Sequence, residues 1–295
     1  MAIAVREGAE MLLFDCGEGT QRQFMRSIFS YMKVDKVFLS HLHGDHFLGL
    51  PGLIQSMNFS GRERPLEVYG PRGVEDMVSS ILVLGYFDMG FDVYVRELHP
   101  GDMVEGEGYS VKAVEVDHIA HSLGYVLQGS ERPGRFLLER AKVLGSHEGP
   151  DFSRLQRGEP VTVAGRKISP TEVLGPARPG TKMVYSGDTL PSAVLEEAAQ
   201  DCDVLIHEAT VESSLEEKAQ LYGHSSARQA AQIAKRVHAK HLFLVHCSGR
   251  YEDATPLLRE AQEIFSASYL PNDLDLFELS SDGSKLTVAS GRRSE

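Results

Sequence analysis

A dense cluster of metal-binding side chains constrains this chain more than any other feature of its sequence. Four potential ligands lie within six residues, in the segment His41-Leu-His43-Gly-Asp45-His46. The segment follows an apolar run, residues 37–39, that predicts a buried strand. Because alternate residues of an extended loop project the same way, His41 and His43 can converge on one ion. Asp45 and His46 follow a glycine turn and point elsewhere, which suits a second ion beside the first.

Three further candidate ligands stand where apolar strands are predicted to end, and these are His118, Asp188 and His246. A site for two ions needs more than four side chains, and loops at strand ends carry chemistry on a rigid scaffold. Two zinc ions about 3.5–4 Å apart need an anionic bridge, which Asp188 can supply. A water between them whose pKa falls towards ~7 becomes a hydroxide nucleophile for a phosphoryl or carbonyl group. Cys247, next to His246, is interpreted as a buried small residue.

A glutamate and a histidine outside this set suggest a route for moving a proton. Glu208 follows the predicted strand at residues 204–206, and His224 lies just ahead of a predicted helix that Ser225 or Ser226 can cap. A carboxylate that orients an imidazole can deliver a proton to a leaving alkoxide. The residues alone are equally consistent with a surface glutamate and a histidine in a helix cap.

The composition indicates a globular protein of a reducing compartment. With 295 residues and 42% hydrophobic content, the chain can bury a full core. No apolar run approaches the roughly 18 residues that span a bilayer, and the N-terminus lacks the layout of a signal peptide. The cysteines at positions 16, 202 and 247 have no CxxC spacing and fit free thiols. We therefore expect a cytoplasmic location.

Charge is unevenly distributed along the chain. The net charge of −12 argues against a nucleic-acid partner. Between residues 131 and 182, however, ten Lys and Arg stand against six Asp and Glu, which gives this segment +4 and leaves −16 on the rest. A basic segment on an acidic body suggests a surface for a polyanion, although an ordinary solvated loop explains the charge equally well.

The hydrophobic pattern predicts two sheets packed together with helices outside. Strands are predicted at residues 11–15, 36–39, 66–69, 93–98, 109–116, 123–127, 183–186, 203–207, 241–245, 274–279 and 285–289. Helices are predicted at residues 17–31, 47–59, 73–84, 191–199, 227–238 and 255–265. The last two strands are expected to form a hairpin that turns at Asp282-Gly283. Residues 133–180, with six of the 13 prolines and seven glycines, predict an inserted arm containing a short helix or two.

These motifs together resemble a known protein family. The ligand segment at residues 41–46, with the three later ligands, resembles the metallo-β-lactamase superfamily. Within it, the chain is similar over nearly its whole length to the ribonuclease Z (tRNase Z) family in its short form. The further motifs are Phe14-Asp15-Cys-Gly17-Glu18-Gly19-Thr20, Leu50-Pro-Gly-Leu, Tyr69-Gly-Pro71, His118-x5-Gly124-Tyr125, Tyr185-Ser-Gly-Asp188-Thr189, His207-Glu-Ala-Thr210, Gly223-His224-Ser225 and His246-Cys-Ser-Gly-Arg250-Tyr251.

The resemblance implies a fold and an activity. The expected fold is α/β, the metallo-β-lactamase αββα sandwich of two packed mixed β-sheets flanked by helices, as a single domain over residues 1–295. The expected activity is a zinc-dependent endoribonuclease, a hydrolase that removes the 3′ trailer from precursor tRNA with a metal-bridging hydroxide as nucleophile. The family implies two Zn²⁺ per chain, or Mn²⁺ in their place, and a cytoplasmic homodimer. Family members usually start some twenty or more residues earlier, with a strand and a Gly-Thr/Pro/Arg-Asn loop, so we expect either that the start of the sequence is misassigned or that an edge strand is missing.

The resemblance also implies roles for individual residues. The expected ligands are His41, His43 and His118 for one ion, Asp45, His46 and His246 for the other, and Asp188 as the bridge. Glu208 and His224 are expected to deliver a proton to the departing 3′ oxygen. Asp45 touches the nucleophilic water in this scheme and can also serve as its base.

The inserted segment at residues 133–180 is expected to bind the body of precursor tRNA, with Arg135, Arg154 and Arg157 as candidate RNA contacts. Two other function classes remain as alternatives. One is a hydrolase of the same fold acting on small phosphodiesters, lactones or thioesters, which would have no evident need for a basic arm. The other is a non-catalytic RNA-binding scaffold without metals, which would have no need for a complete set of ligands.

Overall fold

The computed structural model describes residues 1–280 and 283–293. Two compact units are present: Met1–Gln128 together with Thr181–Glu295, and Gly129–Gly180. The first unit contains the two large sheets and the candidate ligands, whereas the second has a small core of its own. The predicted arm at residues 133–180 falls within the second unit, and its role in binding tRNA stays a prediction.

The strands occupy most of the segments that the hydrophobic pattern predicts. In chain order they are β1 (Ile3–Glu7), β2 (Glu10–Phe14), β3 (Val34–Phe38), β4 (Leu66–Gly70), β5 (Val93–Glu97), β6 (Met103–Gly106), β7 (Tyr109–Glu115), β8 (Leu123–Gly129), β9 (Val161–Val163), β10 (Arg166–Ile168), β11 (Lys182–Tyr185), β12 (Val204–Glu208), β13 (His241–Val245), β14 (Ser268–Tyr269), β15 (Asp275–Leu279) and β16 (Leu286–Ser290).

The helices are short and lie between the strands. They are α1 (Thr20–Arg26), α2 (Gly44–Phe47), α3 (Leu50–Phe59), α4 (Val74–Leu82), α5 (Leu138–Val143), α6 (Pro150–Gln156), α7 (Pro170–Val173), α8 (Ala193–Ala198), α9 (Glu216–Gln220), α10 (Ala227–Arg236) and α11 (Thr255–Ile264), with 3-10 turns at Tyr31–Lys33 and Ser213–Leu215. Helix α10 begins at a capping box, in which the Ser226 hydroxyl accepts from the Gln229 amide and the Gln229 side chain accepts from the Ser226 amide.

The first unit is built on two mixed sheets. The five-stranded sheet has the order β1-β2-β3-β4-β5, in which β1 and β2 are antiparallel and β2 to β5 run parallel. The seven-stranded sheet has the order β14-β13-β12-β11-β8-β7-β6, in which β11 to β14 run parallel and β8 is antiparallel to β11. β15 and β16 form the predicted terminal hairpin. Asp282, at its predicted turn, lies outside the described residues.

The core has three layers, which explains why the chain adopts an αββα sandwich. In β2, Leu12 and Phe14 belong to the layer between the two sheets, where they meet residues such as Tyr125 and Tyr185 of the second sheet. Met11 and Leu13 alternate with them and pack in the layer that also holds α3 and α4. A third layer packs the outer face of the second sheet against α8, α10 and α11. Two packed sheets with helices outside were predicted, and that prediction is confirmed.

The second unit is small but has its own core. Helices α5, α6 and α7 and the hairpin of β9 and β10 surround a cluster that includes Phe152, Leu155 and Ile168. Phe136 packs against Phe152 with ring centroids 4.9 Å apart. The sequence pattern indicated a short helix or two here and missed the hairpin, because each of its strands has three residues.

The structure corrects several predicted elements. β1, β6, β14 and α9 were missed, because they are short, lie at sheet edges or expose most of their side chains. The predicted helix at residues 17–31 is limited to α1, since Ser27 turns extended and its hydroxyl accepts from the Phe29 amide. The predicted loop after β3 contains α2, so Asp45 and His46 lie on a helical turn. Among residues 1–280 and 283–293, no helix has both the length and the apolar composition to cross a bilayer.

Candidate metal centre

The candidate ligands all lie on segments that follow strands. Residues 41–46 come after β3, His118 after β7, Asp188 after β11 and His246 directly after β13. β11, β12 and β13 run parallel, so their carboxyl ends meet at one edge of the sheet. This arrangement brings all seven predicted ligands together, although they are spread over some two hundred residues of sequence.

The first group of ligand atoms comes from His41, His43 and His118. Their ring nitrogens lie within 4.8 Å of one another. His43 Nδ1 is 3.0 Å from His41 Nε2 and 3.4 Å from His118 Nε2. His118 Nδ1 is 2.9 Å from the Gly223 carbonyl oxygen and must donate to it, which leaves Nε2 free to bind an ion.

The second group comes from Asp45, His46 and His246, whose ligand atoms also lie within 4.8 Å of one another. Asp45 Oδ2 is 3.1 Å from His246 Nε2 and 3.5 Å from His46 Nε2. The His46 ring is fully buried, whereas the Asp45 side chain is 61% exposed. Solvent therefore reaches this group from the side of Asp45.

Asp188 lies between the two groups. Its Oδ2 atom is 3.7 Å from His41 Nε2 in the first group, and 3.4 Å from the Nε2 atoms of both His46 and His246 in the second. The carboxylate is almost completely buried. A carboxylate in this position can contribute to both groups, as a bridging ligand does.

A buried carboxylate, that of Asp15, accepts hydrogen bonds that orient the candidate ligands. Asp15 Oδ2 lies 2.7 Å from His46 Nδ1 and accepts from the Tyr185 hydroxyl at 2.5 Å. The Ser40 hydroxyl also donates to Oδ2, at 2.8 Å, and the Ser40 amide donates to Oδ1 at 2.6 Å. Because the Ser40 hydrogen points at Asp15, the same hydroxyl oxygen can accept from His41 Nδ1, 3.0 Å away. Asp15 thus orients His46 directly and His41 through Ser40.

Glu208 supports the opposite side of the centre. Its Oε1 atom is 3.0 Å from His224 Nδ1, and its Oε2 atom accepts from the Thr210 hydroxyl at 2.6 Å. Glu208 and His224 are therefore in contact, and Glu208 is fully buried, but their role in proton delivery stays a prediction. His224 also forms a group of possible ligands with Asp188 and His246, although its Nδ1 is 3.9 Å from Asp188 Oδ2 and closer to Glu208.

The electrostatics of the site favour neutral rings at His41 and His118 and an anionic Asp188. Burial lowers the pKa of His41 to about 3 and also lowers that of His118. Burial opposes the charge of His46 too, but the neighbouring carboxylates of Asp15 and Asp188 outweigh it and raise its pKa to about 10. Burial likewise disfavours the anion of Asp188, yet the surrounding imidazoles hold its pKa well below the usual range.

Two buried atoms at the centre fit a bound cation. His46 Nε2 and Asp188 Oδ1 have no hydrogen-bond partner among the described residues. Such orphaned atoms are costly in a protein interior, and a divalent ion would satisfy both. The donors are imidazole nitrogens and carboxylate oxygens, which suit zinc and manganese. No cysteine of the described chain belongs to any of these ligand groups, and Cys247 is half-buried rather than buried as predicted.

Comparison with known proteins identifies a relative over nearly the whole chain. The chain is 44% identical over 279 residues to the ribonuclease Z of Methanosarcina acetivorans, covering 94% of this chain and 92% of that protein. The chain belongs to the ribonuclease Z family. The structure is also similar to the solved structure of human tRNase Z, short form (ELAC1), with a TM-score of 0.64 and 25% identity over 92% of this chain and 90% of that one.

Two further similarities concern the fold of this ribonuclease Z family member. The metallo-β-lactamase fold protein YhfI from Bacillus subtilis matches with a TM-score of 0.64 at 18% identity, over 92% of this chain and 89% of that one. The family model described as anti-Pycsar protein Apyc1 matches residues 2–132, less than half of the chain. The predicted metallo-β-lactamase fold is therefore confirmed.

The arginines expected to bind RNA lie in the unit Gly129–Gly180. Arg154 and Arg157 share one carboxylate, with Nε atoms 3.1 Å and 3.3 Å from the two oxygens of Glu159. The Arg135 carbonyl accepts from the Gly175 amide at 2.9 Å, which fixes its backbone. Both paired arginines remain more than half exposed. They are available to a polyanion, and their role stays a prediction.

The residues that orient the candidate ligands had no predicted role, and these are Asp15, Ser40, Tyr185 and Thr210. A signal existed for three of them. Asp15 ends a predicted strand, Ser40 directly follows another, and Thr210 follows a third by three residues, which are the positions that the candidate ligands themselves occupy. Tyr185 carries no such signal, because it lies within a predicted strand and its partner Asp15 is distant in sequence.

Proposed function

We propose that this ribonuclease Z family member is a metal-dependent endoribonuclease that removes the 3′ trailer from precursor tRNA. The observation that carries the proposal is a set of seven convergent ligands, around Asp188, in a chain that aligns with a ribonuclease Z over 94% of its length. The family relationship favours RNA over a small phosphodiester, lactone or thioester as substrate. The complete ligand set argues against a scaffold without metals.

The ligand groups suit two Zn²⁺ ions, and Mn²⁺ accepts the same donors. We assign His41, His43 and His118 to one ion, Asp45, His46 and His246 to the other, and Asp188 to both. When bound, such ions lower the pKa of a coordinated water and neutralise charge on the attacked phosphoryl group. Asp45, as the exposed member, is placed to orient the attacking water and to accept its proton.

Glu208 and His224 are assigned to the leaving group. Burial disfavours a charged His224, but its hydrogen bond to Glu208 outweighs burial and raises its pKa, so the ring can hold the proton it must give. Glu208 engages Nδ1, which leaves Nε2 to donate to the departing 3′ oxygen. The His224 ring borders both ligand groups, with its centroid 5.2 Å from His118 and 5.3 Å from His246.

The unit Gly129–Gly180 is assigned to the tRNA body. Its Lys and Arg residues, Arg135, Arg154 and Arg157 among them, exceed its acidic residues, so it can meet phosphates on an otherwise acidic chain. Phosphate contacts position a nucleic acid without reading its sequence, which suits a substrate recognised by shape.

Cleavage of a labelled precursor tRNA, alongside bis(p-nitrophenyl) phosphate, tests the proposal. Deleting residues 133–180 across a short linker should leave diester turnover near wild type but weaken precursor binding. The double variant Arg154→Ala/Arg157→Ala should lower the slope of log Kd against log salt by about 0.7–0.9 for each phosphate that the variant no longer neutralises. Arg6→Ala, a charge change on β1, is the control. A deletion variant that still binds and cuts precursor tRNA normally would remove the arm from the proposal, and no cleavage by the wild type would refute the proposal itself.

We also propose that the chain forms a homodimer and acts in the cytoplasm, where its substrate is processed. Exposed apolar side chains cluster where α3 ends and where the loop after α4 lies, with Phe59 94% and Val83 79% exposed. Gln55 donates to the Leu84 carbonyl and Asn58 to the Asp88 carbonyl, so these segments form one surface. A surface of this kind suits a second copy of the chain. Sedimentation of wild type and of Phe59→Ser tests it, because the variant should shift towards monomer.

A further inference from the structure

Thr210 occupies the space between a metal ligand and the residues assigned to proton delivery. Its hydroxyl oxygen lies 2.6 Å from Glu208 Oε2 and 3.1 Å from His246 Nδ1. The His246 carbonyl oxygen is a second possible acceptor for the hydroxyl, at 3.2 Å. Because Thr210 is not among the proposed ligands or proton donors, we expect any role it has to act through these neighbours.

The proton count on this hydroxyl decides the direction of the two bonds. A threonine hydroxyl has one hydrogen to donate, and a carboxylate can only accept. The bond to Glu208 is shorter than the one to the His246 carbonyl and is assisted by charge, so the hydrogen points at Glu208. The oxygen then accepts from His246 Nδ1–H. His246 is consequently held with its lone pair on Nε2, the atom that faces Asp45 and Asp188.

The backbone around Thr210 couples the same loops. The Thr210 amide donates to the Ser225 carbonyl at 3.1 Å, and the Ser248 amide donates to the Thr210 carbonyl at 3.0 Å. One strand end therefore joins the loop that carries His224 to the loop that carries His246. His246 adopts a φ of 55°, which a non-glycine residue rarely does without support from its surroundings.

A second hydroxyl in the centre, that of Ser40, also bridges a buried carboxylate and an imidazole, so the arrangement occurs twice. Ser40 donates to Asp15 Oδ2 at 2.8 Å and lies 3.0 Å from His41 Nδ1. On both sides, a buried carboxylate contacts one imidazole directly and a second one through a hydroxyl. Asp15 does so for His46 and His41, and Glu208 does so for His224 and His246.

We infer that Thr210 is a positioning residue that fixes His246 for metal binding and ties it to the Glu208–His224 pair. The inference rests on the proposed metal-dependent function. Loss of the hydroxyl leaves His246 Nδ1 without this acceptor and removes one donor from Glu208. The affinity of the ion held by His246 should therefore fall about 10–100-fold, the usual effect of removing an outer partner of a metal ligand. The ion held by His41, His43 and His118 should be unaffected.

The test compares Thr210→Val, which keeps the shape and removes the hydroxyl, with Thr210→Ser, which keeps the hydroxyl. Zn²⁺ alone is titrated into metal-free protein against a competing chelator, which yields stoichiometry and two affinities. Thr255→Val is the matched control, since Thr255 also donates its hydroxyl to a carboxylate, that of Asp253, far along the chain. Thermal unfolding of metal-free protein reports on the fold, and precursor tRNA affinity with kcat reports on the reaction.

Thr210→Val should bind one Zn²⁺ as wild type does and the other about 10–100-fold more weakly. Its kcat should fall with precursor affinity unchanged, and Thr210→Ser should restore both properties. The inference would be overturned if Thr210→Val bound both Zn²⁺ ions with wild-type affinity. Equal losses of Zn²⁺ affinity in Thr210→Ser and Thr210→Val would also overturn it, because the methyl group rather than the hydroxyl would then be responsible. A wild-type protein that binds no Zn²⁺ would refute the proposed function instead, so the two failures are distinguishable.

Discussion

The carboxylate of Asp15 offers the sharpest test of how this site is held together. It is fully buried and accepts from the Ser40 amide, the Ser40 hydroxyl, the Tyr185 hydroxyl and His46 Nδ1, at 2.5–2.8 Å. Asp15→Asn keeps the size of the side chain. Asn also tolerates the φ of 57° at this position, so the substitution tests chemistry rather than backbone strain.

The loss of unfolding free energy in Asp15→Asn can be worked out by counting the donors that face the carboxylate. An amide retains one acceptor oxygen, and its NH₂ group must then face at least one buried donor, at a cost of about 1–3 kcal/mol. The other bonds lose their charge assistance, worth about 1 kcal/mol each. Since three of the bonds share one oxygen, these costs are not additive, and we expect a total of about 3–5 kcal/mol. His46 also loses its anionic partner, so the ion it holds should bind about 10–100-fold more weakly.

Urea unfolding of metal-free protein measures the first effect, and chelator competition with Zn²⁺ measures the second. Tyr185→Phe is the matched control, because it removes a single donor from Asp15 and should cost about 1–2 kcal/mol. Far-ultraviolet circular dichroism should show that both variants fold. An Asp15→Asn protein that loses less than about 1 kcal/mol and binds both ions as wild type does would show that the carboxylate is not needed here.

Three further predictions follow from the described contacts. Asp188→Ala should lose most activity and much of the bound metal; full metal content with near-normal turnover would contradict its place between the two groups. His224→Ala should keep both ions while kcat falls by about 10²–10⁴, and loss of metal would instead make His224 a ligand. Burial disfavours the Glu10 anion, but the Lys36 ammonium 2.8 Å away outweighs burial and lowers the pKa of Glu10 below its unfolded value. The ion pair therefore stabilises the fold above about pH 4.3, and this stabilisation is lost as the pH falls. Glu10→Gln should unfold about 2–3 kcal/mol more easily at pH 7 and show a flatter decline in unfolding free energy down to pH 3; equal slopes would refute the linkage.

The candidate ligands were predictable because each is marked locally. His118, Asp188 and His246 each follow an apolar run that predicts a strand. For Asp188 and His246, the strands are parallel and therefore end at one edge of the sheet. The histidines and aspartates of residues 41–46 are close in sequence, so their proximity needs no tertiary information. What the sequence could not show was which ring nitrogen each histidine presents, since that depends on partners far along the chain.

The errors in the predicted fold have a related cause. β1 alternates half-buried and exposed side chains at the edge of a sheet, and its pairing with β2 depends on a tight turn rather than on apolar content. Helix α2 has four residues and begins at a glycine, so periodicity cannot detect it. The arm hairpin is equally short. In contrast, β13 was predicted with its observed bounds, because its last four residues form an apolar run. The strand lies inside the sheet, where its residues are mostly buried.

The supporting hydrogen bonds imply that folding, rather than metal binding, sets the orientation of the ligands. Four of the five candidate ligand histidines have the nitrogen opposite the proposed ligand atom next to a partner from the protein: Ser40 for His41, Asp15 for His46, Gly223 for His118 and Thr210 for His246. The entropic cost of ordering these rings is therefore offset on folding, because packing of the three-layer core stabilises the loops that carry them. A small zinc finger lacks such a core and unfolds without its metal. In this chain, chelation should empty the centre and leave the αββα sandwich folded, because none of the core clusters formed by the described residues includes a ligand.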